Sequence, residues 1–417
     1  MNRLHRGALA VAAGALACTA APLLPVRAAA TAAVTAGGSA TLASDGQCHF
    51  PADSIPGEPW ALQRILLSQL HARYDGRGVT VAVIDSGVDD KNPQLQGAVK
   101  AGQDFLKGQS GVTGDSTTDR VGHGTMVAGV IAARPDPQNK TGFEGIAPAA
   151  TILAIRQNDG QGNATEDSLA AAIDYAVSQK VEVINISQDL TDKQGQPYQG
   201  ITSTSKLYQA VKRALAADVV VVAAAGNEGL DKPTYPAAIP GVIGVGASDR
   251  NDERADGFSE TGRSVSVAAP GVDIVSTVPG GGQCVDNGTS FAAPYVAGVA
   301  ALLREEYPKW SQAEIAARIE QTAIRTDPGW NAYVGWGVVD PVAAVTDPSP
   351  AEQSPVPSPV GGASAAPVHA RPFELGETAQ QRDERTGLFA VGLGAVGLVL
   401  ITGTATVIRD TRRKRAL

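Results

Sequence analysis

The 417-residue sequence is poor in cysteine and histidine and has no excess of basic residues. It contains three cysteines and five histidines, and its 42 acidic residues outnumber its 34 basic ones. This balance argues against a nucleic-acid partner, because binding to DNA or RNA depends largely on Lys and Arg contacts to phosphates. The few histidines leave few candidates for a catalytic base. No internal repeat is visible, so nothing in the sequence favours a repeat architecture.

Both ends of the chain differ from a globular sequence. Residues 1–30 begin with basic side chains, continue through an apolar run and end in three alanines, which is typical of a secretory signal peptide. Residues 387–408 are 22 residues without a charge, long enough to cross a bilayer as a helix; a buried core helix is the alternative. Five basic residues within 409–417 predict that this tail is cytoplasmic and that the bulk of the chain is outside.

Two cysteines remain beyond the predicted signal peptide, Cys48 and Cys284. In an oxidising compartment such a pair is typical of a disulfide, and two free thiols are the alternative. A bridge between them would close a loop of more than 200 residues, and chain entropy then predicts roughly 3–5 kcal/mol of stabilisation.

The middle of the chain, from about residue 76 to 345, alternates apolar β-branched runs with amphipathic stretches. This alternation predicts an α/β fold with a parallel sheet. A short helix is predicted over 59–75 and another over 311–325. Seven prolines between 348 and 372 predict an extended spacer over 346–386. The predicted strands are 79–84, 152–156, 181–186, 218–224 and 242–246, and the helices between them include 165–179 and 203–217.

Two polar residues stand at the boundaries of apolar segments in the first half of the domain. Asp85 ends the first strong strand, in "VAVIDSGVD", and the carboxyl ends of strands carry the chemistry of open α/β sheets. A turn or cap role is the alternative for this Asp. His123, in "GHGTMVAGVIAA", stands between two glycines at the start of an apolar helix. A structural role is its alternative, but no other histidine has such a setting.

Two further residues occupy similar positions in the second half. Asn227 follows a buried strand in "VVVAAAGNEG", where it forms either an Asx turn or an amide donor to an oxyanion. Ser290 enters the helical pattern "GTSFAAPYVAGVAALL". It is either a helix cap or a nucleophile at a helix N-terminus, where free N–H groups stabilise negative charge. Pro294 falls inside the opening turns of this helix, where proline is tolerated.

The four residues occur in the order Asp85, His123, Asn227, Ser290, with gaps of 38, 104 and 63 positions. Asp, His, Ser is the chain order of subtilisin. In "VIDSGVD", "GHGTMVAGVIA", "AAAGNEG" and "GTSFAAPYVAGVAALL" the sequence resembles subtilisin-like serine proteases. The resemblance implies a three-layer fold with a mainly parallel central sheet flanked by helices.

The resemblance also implies roles for these residues. Asp85, His123 and Ser290 would be the catalytic triad of an endopeptidase, and Asn227 would complete the oxyanion hole. Ser187, Gln188 and Gly226 are predicted to bind substrate. The usual substrate-binding segment of the family is Ser-x-Gly-Gly, whereas this chain has "NISQDL", which retains Ser187 but introduces Asp189. Asp189 would favour a basic or small side chain. No cofactor and no metal site are predicted.

The whole architecture is similar to that of the mycosins, membrane-anchored proteases associated with type VII secretion. "PWALQRI", "GVTVAVIDSGVD" and "PYVAGVAALLR" carry this resemblance. It implies protein substrates secreted by that pathway and association with its membrane complex. The predicted organisation is a signal peptide (1–30), an N-terminal extension (31–58), a peptidase domain (59–345), a spacer (346–386), a single membrane helix (387–408) and a basic tail (409–417).

Two other functions remain open at this point. A protease-like scaffold for a secretion complex is one, although a scaffold has no need of an intact triad. A general degradative protease is the other, and the predicted membrane anchor weakens it. The extension is also expected to cover part of the cleft if Cys48 and Cys284 are bridged.

Overall fold

The helices and strands follow the predicted alternation through the centre of the chain. The computed structural model describes residues 48–357, except 66, 110–111, 137, 139–140, 161–163 and 193–195, together with 386, 388–389, 392–393, 401–405 and 407–409. The strands are β1 (Thr80–Asp85), β2 (Val99–Asp104), β3 (Thr151–Arg156), β4 (Val183–Ile186), β5 (Val220–Ala224), β6 (Ile243–Ser248), β7 (Val267–Pro270), β8 (Ile274–Thr277) and β9 (Gln283–Asp286). The helices are α1 (Trp60–Gln63), α2 (Leu67–His71), α3 (His123–Ala132), α4 (Glu166–Ser178), α5 (Lys206–Ala216), α6 (Thr289–Glu306), α7 (Gln312–Thr322) and α8 (Pro341–Thr346).

Seven strands form one parallel sheet in the order β2-β3-β1-β4-β5-β6-β7, and β8 pairs with β9 in a separate antiparallel hairpin. Side chains alternate across β1, since successive residues of a strand point to opposite faces. Val81 and Val83 join the core beneath α3 and α6, whereas Ala82 and Ile84 join the core beneath α4 and α5. Both faces are therefore covered, which confirms the predicted three-layer arrangement and the parallel sheet.

Helix α6 runs through the larger of these two cores. Its residues 289–304 are all buried, and helices that are apolar all round occupy such positions. Pro294 is the sixth residue of α6, in the second turn rather than the first. Its missing N–H deprives the carbonyl of Ser290 of the donor that a helix normally supplies four residues later.

The predicted helix over 59–75 is wrong as a single element, because two short helices, α1 and α2, occupy this stretch. Between them, Arg64 bonds the carboxylate of Asp252 at 2.7 Å, and Ile65 is buried. These tertiary contacts override the local helical periodicity.

The chain divides into two units, Met1–Ser358 and Pro359–Leu417. The described residues of the second unit are helical where the sequence predicts a membrane helix over 387–408. Across the described part of the chain, no helix combines the length and apolarity needed to span a bilayer. The predicted signal peptide (1–30), most of the spacer and most of the basic tail lie outside the described residues.

Candidate active site

Asp85 and His123 lie against each other at one edge of the sheet. Asp85 ends β1, which lies between β3 and β4 where the strand order reverses, and such switch points bind ligands in open α/β sheets. His123, the first residue of α3, places Nδ1 2.8 Å from Asp85 Oδ1 and 3.0 Å from Oδ2, and both side chains are buried. An ionised carboxylate only accepts, so Nδ1 carries the proton. The lone pair is left on Nε2, which has no hydrogen-bond partner within the described ranges.

Ser86 ties this pair to the start of α3. Its backbone N–H donates to Asp85 Oδ1 at 2.7 Å, and its hydroxyl donates to Asp119 Oδ1 at 2.9 Å. The same hydroxyl accepts the N–H of Gly124 at 3.0 Å. The strand end and the helix start are therefore held in a fixed relation.

Asp119 caps α3 although it lies four residues before His123, the first residue of the helix. One oxygen accepts the N–H of Gly122 at 2.8 Å, and the other accepts the N–H and the hydroxyl of Thr125 at 2.9 and 2.6 Å. The first N–H groups of a helix have no intrahelical acceptor. Asp119 supplies that acceptor and thereby fixes the backbone that carries His123.

Ser290 and Asn227 meet at the start of α6. The amide oxygen of Asn227 accepts the backbone N–H of Thr289 at 2.9 Å, and the Thr289 hydroxyl lies 3.0 Å from the same oxygen. Among the described residues, this arrangement leaves Nδ2 of Asn227 as the free donor. Gly288 has φ +150°, and a Cβ there would lie 2.9 Å from Ser290 Oγ and 3.7 Å from Asn227 Nδ2. Glycine therefore keeps open the space that both atoms border.

The two helix starts also touch each other. Phe291 directly follows Ser290, and its ring centroid lies 5.3 Å from that of the His123 imidazole. Asp85, His123, Asn227 and Ser290, separated by up to 205 positions in sequence, therefore converge on one region. An imidazole with a free lone pair, a serine at a helix N-terminus and a fixed amide donor are the components of acyl transfer by a nucleophilic hydroxyl.

The sequence matches the subtilase family, peptidase S8, over residues 76–337. The chain belongs to the subtilase family. It is 37% identical to subtilisin E of Bacillus subtilis (strain 168) over 301 residues, which cover 71% of this chain and 73% of the relative. It is 38% identical to a subtilisin of Bacillus pumilus over 291 residues, which cover 69% of this chain and 98% of the relative. The protein is accordingly a subtilisin-like serine endopeptidase.

Solved structures of mycosin proteases share the fold of this subtilase. MycP1 from Mycobacterium smegmatis superposes with a TM-score of 0.63 and 29% identity, covering 79% of this chain and 93% of MycP1. The MycP3 protease from the type VII (ESX-3) secretion system gives a TM-score of 0.63 and 31% identity, covering 75% and 92%. The resemblance to mycosins that the sequence indicates is confirmed by these matches.

Burial and the surrounding charges determine the pKa of the His123 imidazole in this subtilase. Burial lowers the pKa of His123, but the charge and hydrogen bond of Asp85, together with the charges of Asp119 and Asp286, more than offset burial. The net pKa of His123 is therefore raised above its ordinary value of 6.5. A base with a raised pKa accepts a hydroxyl proton more readily than free imidazole does.

The predicted substrate-binding segment has its side chains engaged within the protein. Ser187 Oγ accepts an amide N–H of Asn185 at 2.8 Å, and Gln188 accepts one from Asn158 at 2.7 Å. Both Ser187 and Gln188 are buried. Gly226 lies two residues beyond the end of β5, with φ +109°. Binding of substrate by these three residues stays a prediction, and it would use their backbone groups.

A disulfide joins Cys48 to Cys284, with 6.0 Å between the Cα atoms. The segment that follows Cys48 runs along the loop before β9, where the N–H of Ala52 donates to the carbonyl of Gly281 at 3.0 Å. Phe50 reaches the backbone next to the imidazole, since a Cβ at Gly122 would lie 2.9 Å from its ring. The described part of the extension therefore borders the site at His123.

Sequence reasoning missed the residues that orient the site. Ser86 and Thr289 lie next to predicted residues inside the quoted motifs, so their positions offered a signal. Asp119, four residues before His123, offered a weaker one as a candidate helix cap. Within the described ranges, no group of three His, Cys, Asp or Glu side chains is placed to hold a metal ion.

Proposed function

We propose that Asp85, His123 and Ser290 form the catalytic triad of this endopeptidase and that Asn227 completes its oxyanion hole. The observation that carries the proposal is the imidazole fixed by Asp85 through Nδ1, with Nε2 unpartnered across the described residues.

The proposed reaction begins with attack of Ser290 Oγ on the carbonyl carbon of a peptide bond. His123 Nε2 accepts the hydroxyl proton and later donates it to the leaving amine, while Asp85 stabilises the imidazolium. The developing oxyanion accepts from Asn227 Nδ2 and from the backbone N–H of Ser290, one of the first N–H groups of α6. Water then attacks the acyl carbonyl carbon while His123 Nε2 accepts its proton. The bond to Ser290 Oγ breaks, the proton returns to this oxygen, and the product leaves with a free carboxyl group.

A fluorescent fluorophosphonate tests this proposal on the full chain in detergent, with Ser290→Ala as the matched variant. We expect the wild type to be labelled and the variant to remain unlabelled, because the probe reacts only with an activated serine. Thermal unfolding of both proteins provides the control for folding. Equal labelling of the two proteins, or none of a folded wild type, would contradict the assignment.

We further propose that the protease is anchored in the cell membrane by residues 387–408, with its catalytic unit outside the cytoplasm. The support is the uncharged run followed by five basic residues. A type VII secretion complex is its proposed partner and secreted proteins are its proposed substrates, on the strength of the likeness to MycP1 and MycP3. Protease digestion of intact cells tests the topology: the catalytic unit should be degraded while a C-terminal tag stays protected.

A further inference from the structure

The loop that carries Asn227 is held by a distant segment of the chain. This loop, residues 226–230, follows β5, and residues 258–261 lie between β6 and β7. Three backbone hydrogen bonds join the two segments: Glu260 N–H to Gly226 O at 3.2 Å, Gly229 N–H to Phe258 O at 2.8 Å, and Thr261 N–H to Leu230 O at 3.0 Å. The position of the Asn227 amide therefore depends on the segment around Glu260.

Two acidic side chains lie against the same point of this loop. A Cβ at Gly226 would lie 2.8 Å from Glu260 Cγ and 3.0 Å from Glu228 Oε2, so the two side chains are neighbours. The same Glu228 Oε2 accepts the backbone N–H of Asn227 at 3.0 Å. Glu228 therefore connects the side chain of Glu260 to the backbone of Asn227.

The contacts of Glu260 suit a carboxyl group that carries a proton. This group accepts the backbone N–H of Leu230 and forms a hydrogen bond with the carboxyl group of Glu228. Two ionised carboxylates cannot form such a bond, because each only accepts. Glu260 is 0% exposed, whereas Glu228 is partly accessible to solvent, and burial disfavours the charged form. The proton therefore belongs to Glu260, and Glu228 accepts from it.

The charges around Glu260 favour the same protonation state. Burial, followed by the hydrogen bond and charge of Glu228 and then by the charge of Asp189, raises the pKa of Glu260 to about 8, although the N–H of Leu230 opposes this rise. Asp189 follows β4, and burial together with the charge of Glu228 raises its own pKa to about 7. Glu260 is therefore mostly neutral near pH 7 and becomes charged in alkaline solution.

Loss of the proton from Glu260 would change the loop. It leaves two carboxylates of like charge in contact, one of them fully buried, and such charges repel strongly where water is excluded. Glu228 is the partner that is free to move outward, since it is partly accessible to solvent. When it moves, the backbone N–H of Asn227 loses its acceptor, and the Asn227 amide is displaced from the oxyanion.

We propose that the hydrogen-bonded pair of Glu228 and Glu260 positions Asn227 for catalysis and releases it when the pair loses its shared proton. Both glutamates are thus positioning residues, and the pair is a pH switch that lowers activity in alkaline solution. This inference rests on the proposed catalytic function, in which Asn227 stabilises the oxyanion.

The rate of fluorophosphonate labelling at Ser290, measured on the full chain in detergent between about pH 6 and about pH 9.5, tests the switch. The probe has no titrating group, and its phosphoryl oxygen takes the place of the oxyanion. We expect the wild-type rate to rise as His123 loses its proton and then to fall about 10-fold between about pH 8 and about pH 9.5. Glu260→Gln should retain the rise and lose the fall, because its amide donates to Glu228 at every pH.

Glu228→Gln is the second variant, in case Glu260→Gln does not fold. Its amide N–H donates to Glu260 while its carbonyl oxygen accepts from Asn227, so the shared proton is no longer needed and the alkaline fall should disappear. Asp189→Asn should retain the fall, since Asp189 acts on the pair only through its charge. Glu253→Gln, at an exposed acidic residue before the same segment, is the matched control and should keep the wild-type profile.

Thermal unfolding at each pH shows whether every protein is folded. A labelled wild type without the alkaline fall, a fall that coincides with global unfolding, or a folded Glu260→Gln that keeps the fall would overturn the switch alone. Loss of the fall in Asp189→Asn would assign the titration to Asp189 and would also overturn it. A folded wild type that is not labelled at any pH would overturn the proposed function and the switch with it.

Discussion

Two groups of buried carboxylates lie at the same end of the sheet, and they differ in how they are satisfied. Asp85 and Asp119 accept several hydrogen bonds each from Ser86, Thr125 and the start of α3. Glu260 instead lies against a second carboxylate, that of Glu228, and Asp189 Oδ2 has no hydrogen-bond partner within the described ranges. The first group is complete and orients His123, whereas the second group is incomplete, since burial and the neighbouring Glu228 raise the pKa values of both Asp189 and Glu260.

The largest expected effect comes from removing the charge of the completed group at Asp85. Asp85→Asn places an amide N–H opposite Nδ1 of His123, which moves the imidazole proton to Nε2 and removes the base. We expect kcat to fall by about 10,000-fold with little loss of stability. Steady-state kinetics and thermal unfolding test this change. A decrease in kcat smaller than about 100-fold would show that Asp85 does not set the tautomer of His123.

A smaller effect is expected at Asp119, where the completed group serves the backbone. Asp119→Asn turns one of two accepting oxygens into a donor that faces N–H or O–H groups of Gly122, Ser86 or Thr125. We expect the free energy of unfolding to fall by about 2–4 kcal/mol. Urea denaturation in a Ser290→Ala background avoids self-digestion. Asp115→Asn, on an exposed turn, is the control, and a loss equal to that control would contradict the capping role.

The smallest expected effect is on the pH dependence of the protein's stability, and it comes from Glu260 in the incomplete group. The pKa of Glu260 is raised from 4.5 to about 8 in the folded protein, so the folded state binds more protons than the unfolded state between these values. The stability that Glu260 contributes is therefore fully present below about pH 4.5 and is lost as the pH rises through about 8.

Glu260→Gln should remove this pH dependence, since its amide is neutral and can donate to Glu228. In a Ser290→Ala background, we expect the variant to lose about 1–2 kcal/mol less stability than the wild type between about pH 5 and pH 9. Denaturation at the two pH values measures it, with Glu253→Gln as control. Equal losses in all three proteins would show that the two carboxylate groups do not differ as described.

The position of a residue in the fold explains whether the sequence could predict it. Asp85, His123, Asn227 and Ser290 each stand near the end of a strand or the start of a helix, so local pattern and chain order were sufficient to propose them as site residues. The central strands were found because both faces of β1 and β5 are buried, which gives continuous apolar runs. Strand β2, "VKAGQD", was missed because it lies at the edge of the sheet and is largely solvent-accessible.

The cluster of Asp189, Glu228 and Glu260 is the part that sequence could not assemble. Asp189 was noticed only as a departure from a motif. Glu260 lies in "FSETG", a segment with no strong pattern, and it reaches Gly226 only through the packing of β5 against β6. Contacts between residues that are far apart in the sequence become visible only in the folded structure.

The disulfide between Cys48 and Cys284 also affects what happens when one copy of the protease cleaves another. It closes a covalent ring across 236 positions, which contains Asp85, His123 and Asn227, while Ser290 follows six residues after the ring closes. A single cut anywhere inside the ring opens the circle but releases no fragment. A molecule cleaved once within the ring by a neighbouring copy therefore remains one covalent piece, and a gel shows two fragments only after the disulfide is reduced.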